Sequence, residues 1–446
     1  MTTGTARTVG APAWTELAFY AQEPDAIHAA IAAQRQAVPV YWYEPGRFWV
    51  LLKWEHIRFA LSHPELFCSR YGHLITDARD PAMVVDQLPR FAQEQLAQPG
   101  LTPAEKRGII ARGTLSFGIR DFEHFATLDP PRHGEVRSIF MKALRPSLVR
   151  KLKPLIAEIA DEVFAEIEPA TEVDFVTSAG HIQPSIMAEL VGVSREMRDR
   201  FGEWAAAHVK AVAIDPNRDP EEVARLNAQS DSFRAYIEQL IDDRQQNGAS
   251  GDDLISIVLN AELDGAPVRR EYYVPFCASF MTGGETTRIL ISTLAYALAV
   301  HPDQRRLLIE RPELIPNAIE ETLRYYPINW SQGRTATQRV EIGGQVIEKD
   351  DFVVMVLPSG NRDENVWERP NEYDITRSFD NDHLHLGFGY GEHSCPGQLL
   401  TRVDSSVVLE RLLARFPDWE LTGPPTPIVS PFVQGIARLP LKFHTK

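Results

Sequence analysis

Apolar residues recur every three or four positions through much of the middle of the chain, which is the spacing of amphipathic helices. Four segments show this pattern: residues 150–167, 233–248, about 270–300, and 312–326. Gly248 is a plausible C-cap for the second segment, and Pro327 stops the fourth. The third segment, which ends before His301 and Pro302, is the longest helix that the sequence predicts.

Strand patterns are fewer. Residues 339–358 predict two strands around Gly343 and Gly344, and residues 46–53 predict another. No linker rich in glycine, serine or proline divides the chain, and it contains no internal repeat. We therefore predict a mainly α fold with a small β-rich part built from both ends of the sequence, forming a single unit over residues 1–446.

Composition and charge narrow the class of protein. Of the 446 residues, 44% are hydrophobic and 24% are charged, as in a globular protein with a sizeable core. The formal net charge of −15 argues against nucleic acid as a partner, because phosphates would repel the chain. No stretch approaches the ~18 apolar residues of a membrane span, and the first residues lack the features of a signal peptide. We expect a soluble cytoplasmic protein with no membrane span.

The three cysteines, Cys68, Cys277 and Cys395, lie far apart and form no CxxC pair. Neither a disulfide framework nor a zinc site is therefore indicated. Cys277 lies in the longest predicted helix and is interpreted as a small core residue. Cys395 needs a separate explanation, because the residues around it are unusual.

Cys395 lies in the stretch FGYGEHSCPG, directly before a predicted helix. Pro396 suits the first helical position, where the helix dipole and the free N–H groups would lower the pKa of the thiol. Gly389 and Gly391 would let the preceding backbone turn tightly and approach a flat ligand. His393 could point a hydrogen-bond donor toward an anionic group. The pattern favours a thiolate ligand of a metal.

This stretch resembles F-G-x-G-x-H-x-C-x-G, the haem-ligand signature of the cytochrome P-450 haem-thiolate monooxygenases. Its fixed positions are matched by Phe388, Gly389, Gly391, His393, Cys395 and Gly397. The resemblance implies the fold of that family, with haem b as the cofactor and O₂ as the co-substrate. It also implies that Cys395 is the axial iron ligand and that Phe388, Gly389 and Gly397 belong to the haem-binding site.

Other motifs of the family follow in order. Glu321 and Arg324 in EETLR resemble its E-x-x-R pair, whose role would be structural. On its own this spacing is an everyday helix salt bridge. The third member of the family's network is an arginine at a position that Glu372 occupies here, so Arg362 or Arg377 must substitute.

Anionic haem propionates need cations or hydrogen-bond donors. DPPRHGEVR resembles a family segment in which His133 and Arg137, four residues apart on one helix face, would reach the propionates. Arg334 in QGRTATQ and His393 complete the set that the resemblance implies.

The segment FMTGGETTR places two glycines, Gly283 and Gly284, inside the longest predicted helix. They cost about 2 kcal/mol relative to alanine, which is typical of a kink or of close approach to a ligand. The segment resembles the family's oxygen-activating stretch. By that resemblance Thr286 is the alcohol and Glu285 the acid of a proton relay.

The resemblance implies a bacterial-type monooxygenase that inserts one oxygen atom into an apolar C–H bond. No flavin or NAD fingerprint is present in the sequence, so the electrons would come from a ferredoxin with its NAD(P)H reductase. Two alternatives remain at this point: a peroxide-driven peroxygenase and a non-catalytic haem-thiolate sensor. Neither of these would need the pair of Glu285 and Thr286.

The substrate pocket is predicted only from family positions. The candidates are Phe276, Ser279, Gly283, Ile328, Asn329, Trp330, Phe432 and Val433. Residues 74–122 would include a lid over the pocket. These residues imply a mainly apolar, mid-sized substrate, such as a terpenoid, steroid or lipid-like compound.

One basic segment interrupts the acidic chain between Glu135 and Glu158, and no acid lies within it. Its cations are Arg137, Lys142, Arg145, Arg150, Lys151 and Lys153. It is interpreted either as a solvated helix face or as the surface where an acidic ferredoxin docks.

Overall fold

The computed structural model describes residues 11–212, 218–380 and 384–445, and most of them are helical. The helices are α1 Leu17–Tyr20, α2 Pro24–Ala37, α3 Trp54–Ser62, α4 Arg90–Leu96, α5 Pro103–Leu115, α6 Arg132–Ala143, α7 Pro146–Lys151, α8 Lys153–Ala165, α9 Phe175–Ser178, α10 Ile182–Val191, α11 Arg198–Val212, α12 Pro220–Asn247, α13 Leu254–Leu259, α14 Tyr273–Val300, α15 Pro302–Glu310, α16 Ile315–Tyr325, α17 Leu357–Gly360 and α18 Gln398–Arg415. Among the described residues, no helix is long and apolar enough to cross a membrane.

The strands are short. They are β1 Val40–Tyr43, β2 Phe48–Leu51, β3 Phe67–Cys68, β4 Glu172–Asp174, β5 Glu262–Leu263, β6 Ala266–Pro267, β7 Ser331–Ala336, β8 Val340–Ile342, β9 Gln345–Ile347, β10 Phe352–Val356, β11 Asp418–Leu421, β12 Thr426–Pro427, β13 Ile436–Arg438 and β14 Pro440–His444. The largest sheet has the order β1-β2-β10-β7-β3. Strand β10 is parallel to β2, and the other neighbours in this sheet are antiparallel.

This sheet joins strands from the start of the chain to strands that follow α16, with Val50 opposite both Tyr41 and Val354. A second sheet, β11-β14-β4, joins the last strands of the chain to β4, which lies between α8 and α9 in the sequence. The predicted fold class, mainly α with a small β-rich part built from distant segments, is confirmed.

Several helix boundaries differ from the predicted ones, because prolines and capping residues begin or interrupt the helices. The segment 150–167 is interrupted at Leu152, because Pro154 starts a new first turn in α8. Helix α12 ends at Gly248 as predicted but begins at Pro220, capped by the Asp219 carboxylate. The segments 270–300 and 312–326 each open with one 3₁₀ turn before α14 and α16 begin.

The predicted turn at Gly343 and Gly344 joins β8 and β9 as a hairpin. Both residues have positive φ, 57° and 75°, which glycine adopts without steric cost. The same region continues into β10, which the sequence pattern did not separate from β9. Residues 74–122, predicted to include a lid, contain short 3₁₀ turns followed by α4 and α5.

Helix α14 crosses the interior with most of its side chains buried. It approaches α10 closely at Gly284, where a Cβ would lie 2.5 Å from the Met187 side chain. On another side the hydroxyls of Thr287 and Thr401, 3.0 Å apart, join α14 to α18. The helix is continuous through both glycines, and the close approach at Gly284 is to a neighbouring helix.

Candidate functional site

The loop before Cys395 is closed on itself by backbone hydrogen bonds. The N–H of Cys395 donates to the Phe388 carbonyl at 2.8 Å, and that of Ser394 donates to the Gly391 carbonyl at 3.0 Å. Gly389 and Gly391 have φ of 69° and 71°, in the left-handed region. These two glycines let eight residues turn back and present the cysteine at a fixed point.

Helix α18 begins at Gln398, so the prediction that Pro396 takes the first helical position is wrong. Cys395 lies just before the helix, where the N–H groups of Gly397 and Gln398 reach its sulfur. Burial nevertheless raises the pKa of the thiol, although these N–H groups and the charges of Arg137 and Arg402 oppose the shift. The expected lowering of this pKa is therefore corrected, because loss of hydration outweighs the helix terminus in the absence of a metal.

Open space lies beside the middle of α14. Gly283 is exposed although it belongs to an interior helix, and a Cβ there would have no atom of the described part of the chain within 4 Å. Thr286, one turn along, is also partly accessible. The contact between Thr287 and Thr401 places this turn beside the helix that starts after Cys395. This contact thus brings the glycine-containing turn of α14 close to the segment that carries Cys395.

Four predicted cation and donor residues are brought together beside the cysteine loop. The rings of His133 and His393 lie 4.1 Å apart. Arg137 donates to the Ser394 carbonyl at 2.5 Å, which ties α6 to the loop. Arg334 is 4% exposed, and its Nη1 donates to the Gly333 carbonyl at 2.7 Å.

This cluster holds the positive charges of Arg334 and Arg137, both of which act on His393. Burial, followed by the charge of Arg334, lowers the pKa of His393 to about 2. Burial and the charge of Arg137 lower the pKa of His133 to about 4. The nearby carboxylate of Asp129 lies 3.6 Å from Arg70. An anionic group would offset these positive charges.

Two buried atoms of the cluster have no hydrogen-bond partner among the described residues: Nε2 of His133 and Nη1 of Arg137. A ligand that carries acceptor oxygens would satisfy both atoms. Cys395, a partly accessible residue, supplies a soft metal ligand beside them. A thiol beside two such donors fits a group that carries both a metal and carboxylates, as a haem does.

The E-x-x-R pair is fully buried in α16. Arg324 binds Glu321 in a two-point ion pair, with N–O distances of 2.7 and 2.8 Å. It also donates to the carbonyls of Asn361 and Pro370, at 3.0 and 2.9 Å. The third arginine is Arg377, whose Nε lies 3.3 Å from the Glu321 carboxylate.

The alternative third arginine has another role. Arg362 donates to the Tyr325 carbonyl at 2.9 Å and stacks over the Tyr325 ring at 3.8 Å. Its side chain therefore supports the end of α16 and does not complete the carboxylate pair. The choice that the sequence left open between the two arginines is settled by this geometry.

A second ion-pair network, which sequence reasoning missed, supports the cysteine loop from outside. Arg402 binds Glu320 at 2.7 and 3.0 Å and lies 4.5 Å above the Phe388 ring. His385 lies 3.0 Å from the same carboxylate and accepts the N–H of Gly387 at 3.0 Å. Although burial opposes ionisation, these hydrogen bonds lower the pKa of Glu320 to about 2. The doubled acid in EETLR was the available signal, since each glutamate serves a different arginine.

The predicted relay residues are neighbours on α14 but do not touch each other through their side chains. The Thr286 hydroxyl donates to the Gly283 carbonyl at 3.0 Å. The Glu285 carboxylate is held by Arg288, whose Nε lies 2.9 Å from both carboxylate oxygens. Sequence reasoning missed Arg288, although its spacing of three residues from Glu285 is a common helix pairing.

Two of the predicted pocket segments are paired through their backbones. The Trp330 N–H donates to the Phe432 carbonyl at 2.9 Å, and the Gln434 N–H donates to the Ile328 carbonyl at 2.6 Å. Between them Asn329 and Val433 form an antiparallel bridge.

Other pocket candidates differ in their surroundings. Phe276 is 1% exposed and packs against the rings of Phe122 and Phe140, which places it in an aromatic core. Trp330 packs edge-on against Tyr20 in the cluster around α1, α2 and the main sheet. Ser279 is partly accessible on α14, with its hydroxyl bonded to the Pro275 carbonyl.

Two cations of the basic segment form ion pairs that the sequence did not indicate. Asp252, about 100 residues further along the chain, pairs with Arg145 and with Lys151, the latter at 3.1 Å. Lys142 is exposed on α6 next to Met141, which is 39% exposed. The segment therefore offers a smaller net positive charge than six cations.

The chain is similar to known proteins over most of its length. Residues 82–446 match the sequence model of the family described as Cytochrome P450. Linalool 8-monooxygenase of Pseudomonas putida is 31% identical over 420 residues, which cover 92% of this chain and 94% of that protein. Polyketide biosynthesis cytochrome P450 PksS of Bacillus subtilis is 30% identical, covering 87% of this chain and 91% of PksS. The solved structure of cytochrome P450 CYP109Q5 from Chondromyces apiculatus has a TM-score of 0.76 at 25% identity and covers 95% and 97% of the two chains.

Proposed function

The chain belongs to the cytochrome P450 family and is a monooxygenase, and on this premise we propose that it hydroxylates an apolar small molecule with electrons from a ferredoxin. The observation that carries the proposal is the cysteine loop beside a buried cluster in which His133 and Arg137 each have an atom without a partner among the residues that the structure describes. Together they offer a soft metal ligand and an anion site within one fold. We also propose that residues 1–446 form one haem-binding unit.

Haem b is the cofactor that these residues would hold. Its iron would bind Cys395, and its carboxylates would be bound by His133, Arg137, Arg334 and His393. When bound, the haem supplies the redox centre that activates O₂. The chain's own contribution is to orient this group and to keep water away from it.

Thr286 and Glu285 would deliver protons to the reacting oxygen. The Thr286 hydroxyl stands beside the open space at Gly283, and its hydrogen bond to the helix carbonyl can be exchanged for one to a ligand. Glu285 is 14% exposed, so it can pass protons from solvent without opening the interior to water. A hydroxyl backed by a carboxyl group is a suitable general-acid pair.

The buried pair of Glu321 and Arg324, completed by Arg377, has a structural role. Its hydrogen bonds join α16 to the segment before the cysteine loop, at Asn361 and Pro370. Removing one member would leave an unpaired buried charge, which costs about 3–5 kcal/mol. We propose that this network fixes the haem side of the molecule.

The ferredoxin would dock where the cysteine loop reaches the surface. Leu399, at the start of α18, is 36% exposed, and Met141 on α6 is also exposed. The neighbouring Lys142 adds positive charge that would attract an acidic partner. An apolar centre with a basic edge is the usual composition of such a docking surface.

Charge reversal tests this docking surface. K142E should slow reduction by the ferredoxin at low salt and reduce its salt dependence, without altering substrate affinity. K349E, a change at an exposed lysine in the β-rich part, serves as the matched control. Equal reduction rates for K142E and K349E at low salt would place the docking surface elsewhere.

The substrate is proposed as a terpenoid, steroid or lipid-like compound. Its support is the apolar surroundings of the paired segments at Ile328 and Val433, together with the similarity to linalool 8-monooxygenase. A ligand-induced spin-state screen with linalool, testosterone and a methyl-branched fatty acid would test these three classes. A screen in which all three leave the spectrum unchanged would reject the proposed class.

Turnover in the presence of labelled dioxygen separates the proposal from its alternatives. With NADPH, a plant-type ferredoxin and its reductase, the product should contain one oxygen atom from O₂. Turnover supported by hydrogen peroxide alone would favour a peroxygenase. Haem binding with no turnover under either condition would favour a sensor.

A further inference from the structure

The carboxylate of Glu285 is held by Arg288, three residues further along α14. Arg288 contacts both of its oxygens through Nε, at 2.9 Å each, and donates a further hydrogen bond through Nη2. This two-point contact fixes the direction of the carboxylate as well as its charge.

The geometry of a helix makes that direction significant. Successive residues are rotated by about 100° around the axis. Thr286 is therefore about 100° from Glu285 in one sense, whereas Arg288 lies about 60° from it in the other sense. While the ion pair is intact, the carboxylate points away from the hydroxyl that it would have to serve.

The pair lies where it can separate during the reaction. The side chains of Arg288 and Glu285 are 22% and 14% exposed, so both reach water at one edge. Burial opposes the charge of Arg288, but the hydrogen bonds and charge of Glu285 raise its pKa overall. Arg288 therefore stays charged, and the carboxylate is the partner that can change its orientation and its protonation.

We propose that Arg288 is a positioning residue, which holds Glu285 away from Thr286 between proton deliveries. This inference rests on the proposed relay. In each delivery the carboxylate leaves Arg288, takes a proton from a hydronium ion at the solvent edge, which becomes water, and turns to Thr286. The acid then gives its proton to the Thr286 hydroxyl, which passes its own proton to the reacting oxygen, and the carboxylate returns to Arg288. No electron is transferred in this step.

The kinetic test measures proton delivery in haem-loaded protein without needing the substrate. Reduced protein is mixed with O₂, with photoreduced deazaflavin as the electron source. The decay rate of the oxygenated protein is then compared in H₂O and D₂O. R288Q should raise the rate about three-fold and lower the solvent isotope effect, because a partly exposed ion pair restrains the carboxylate only modestly. R288K, which keeps the charge but not the two-point contact, should fall between R288Q and the wild type.

The E285Q background separates this inference from the proposed relay. E285Q alone should slow the decay about 100-fold or more, and adding R288Q should then change nothing. An unchanged rate in E285Q would reject the relay itself. A slow E285Q with an unchanged R288Q would reject only the role of Arg288. Equal effects of R288Q in both backgrounds would show a merely structural role, and a slower R288Q would show that Arg288 holds the delivering orientation.

A spectroscopic measurement on the resting protein supplies a readout independent of turnover. The infrared difference between wild type and E285Q isolates the carboxylate bands of Glu285. These bands should shift in R288Q and only partly in R288K, because the two-point contact is lost in both but the charge in only one. Bands that keep their positions in R288Q would overturn the proposal.

Discussion

A methyl group added at Gly391 should destabilise the protein far more than the same group added at Gly344. Both glycines are left-handed, with φ of 71° and 75°, so alanine at either site costs about 1 kcal/mol of backbone strain. Their surroundings differ. A Cβ at Gly391 would lie 2.4 Å from the Leu61 carbonyl oxygen, whereas a Cβ at Gly344 would have none of the structure's described residues within 4 Å.

The Leu61 carbonyl belongs to the backbone of α3 and cannot rotate away as a side chain could. To bring the added Cβ to an ordinary contact distance of 3.4 Å from this oxygen, the loop and the helix must separate by roughly 1 Å. Overpacking of this kind costs about 1–3 kcal/mol. We expect G391A to lower the free energy of unfolding by about 2–4 kcal/mol and G344A by about 1 kcal/mol. G389A should fall between them, because its Cβ would meet the flexible end of Gln332 at 2.9 Å.

Urea unfolding followed by circular dichroism measures these differences. The reduced carbon monoxide spectrum reports in addition what share of the haem-loaded protein keeps thiolate ligation, which should fall in G391A and stay complete in G344A. If G391A matches G344A in both measurements, the loop does not depend on its close contact with α3 and the argument from sterics fails.

Three further changes test single groups. T286A should keep haem binding and NADPH consumption but release more hydrogen peroxide, since protonation loses its hydroxyl; unchanged coupling to product would contradict the relay. P396L adds an N–H near the Cys395 sulfur, where Gly397 and Gln398 already donate, and should raise the reduction potential by roughly 40 mV; a redox titration that shows no shift would leave Pro396 with a conformational role only. Burial raises the pKa of Asp404 to about 8, so the unfolded chain releases a proton that the folded protein keeps, and stability falls as pH rises from about 4 to 8. D404N should therefore match the wild type near pH 4 and exceed it in urea unfolding at pH 8, and parallel stability curves would contradict this assignment.

The parts of the site that were predictable from the sequence are those whose cause is local. The two glycines of the cysteine loop are needed for a turn within eight residues, so their spacing carried the information. The pair of Glu321 and Arg324 is one turn of one helix. Residues of this kind reveal their role because the chain itself brings them together.

The remainder depends on segments that meet only after folding. Arg377 could not be chosen over Arg362 from the sequence, because the choice depends on how the segment after β10 packs against α16. Asp252 reduces the charge of a basic segment about 100 residues before it. The pKa of Cys395 was predicted with the wrong sign because helix position is a local property, whereas burial is not.

Helix beginnings and helix glycines also combine a local cause, visible in the sequence, with a cause that depends on packing. Pro396 indicated the first helical position, yet the loop stays irregular for two further residues so that the N–H groups of Gly397 and Gln398 can reach sulfur. In α14 the two glycines were recognised as costly, but only the packing shows that Gly284 admits Met187 and that Gly283 borders open space.

The reduced carbon monoxide spectrum of cysteine variants tests the central claim most directly. C395S should lose the Soret band typical of thiolate ligation, whereas C68S and C277S, changes at buried cysteines outside the loop, should retain it. A thiolate band that persists in C395S, or one that disappears in C68S or C277S while the variant stays folded, would contradict the assignment of Cys395 as the iron ligand.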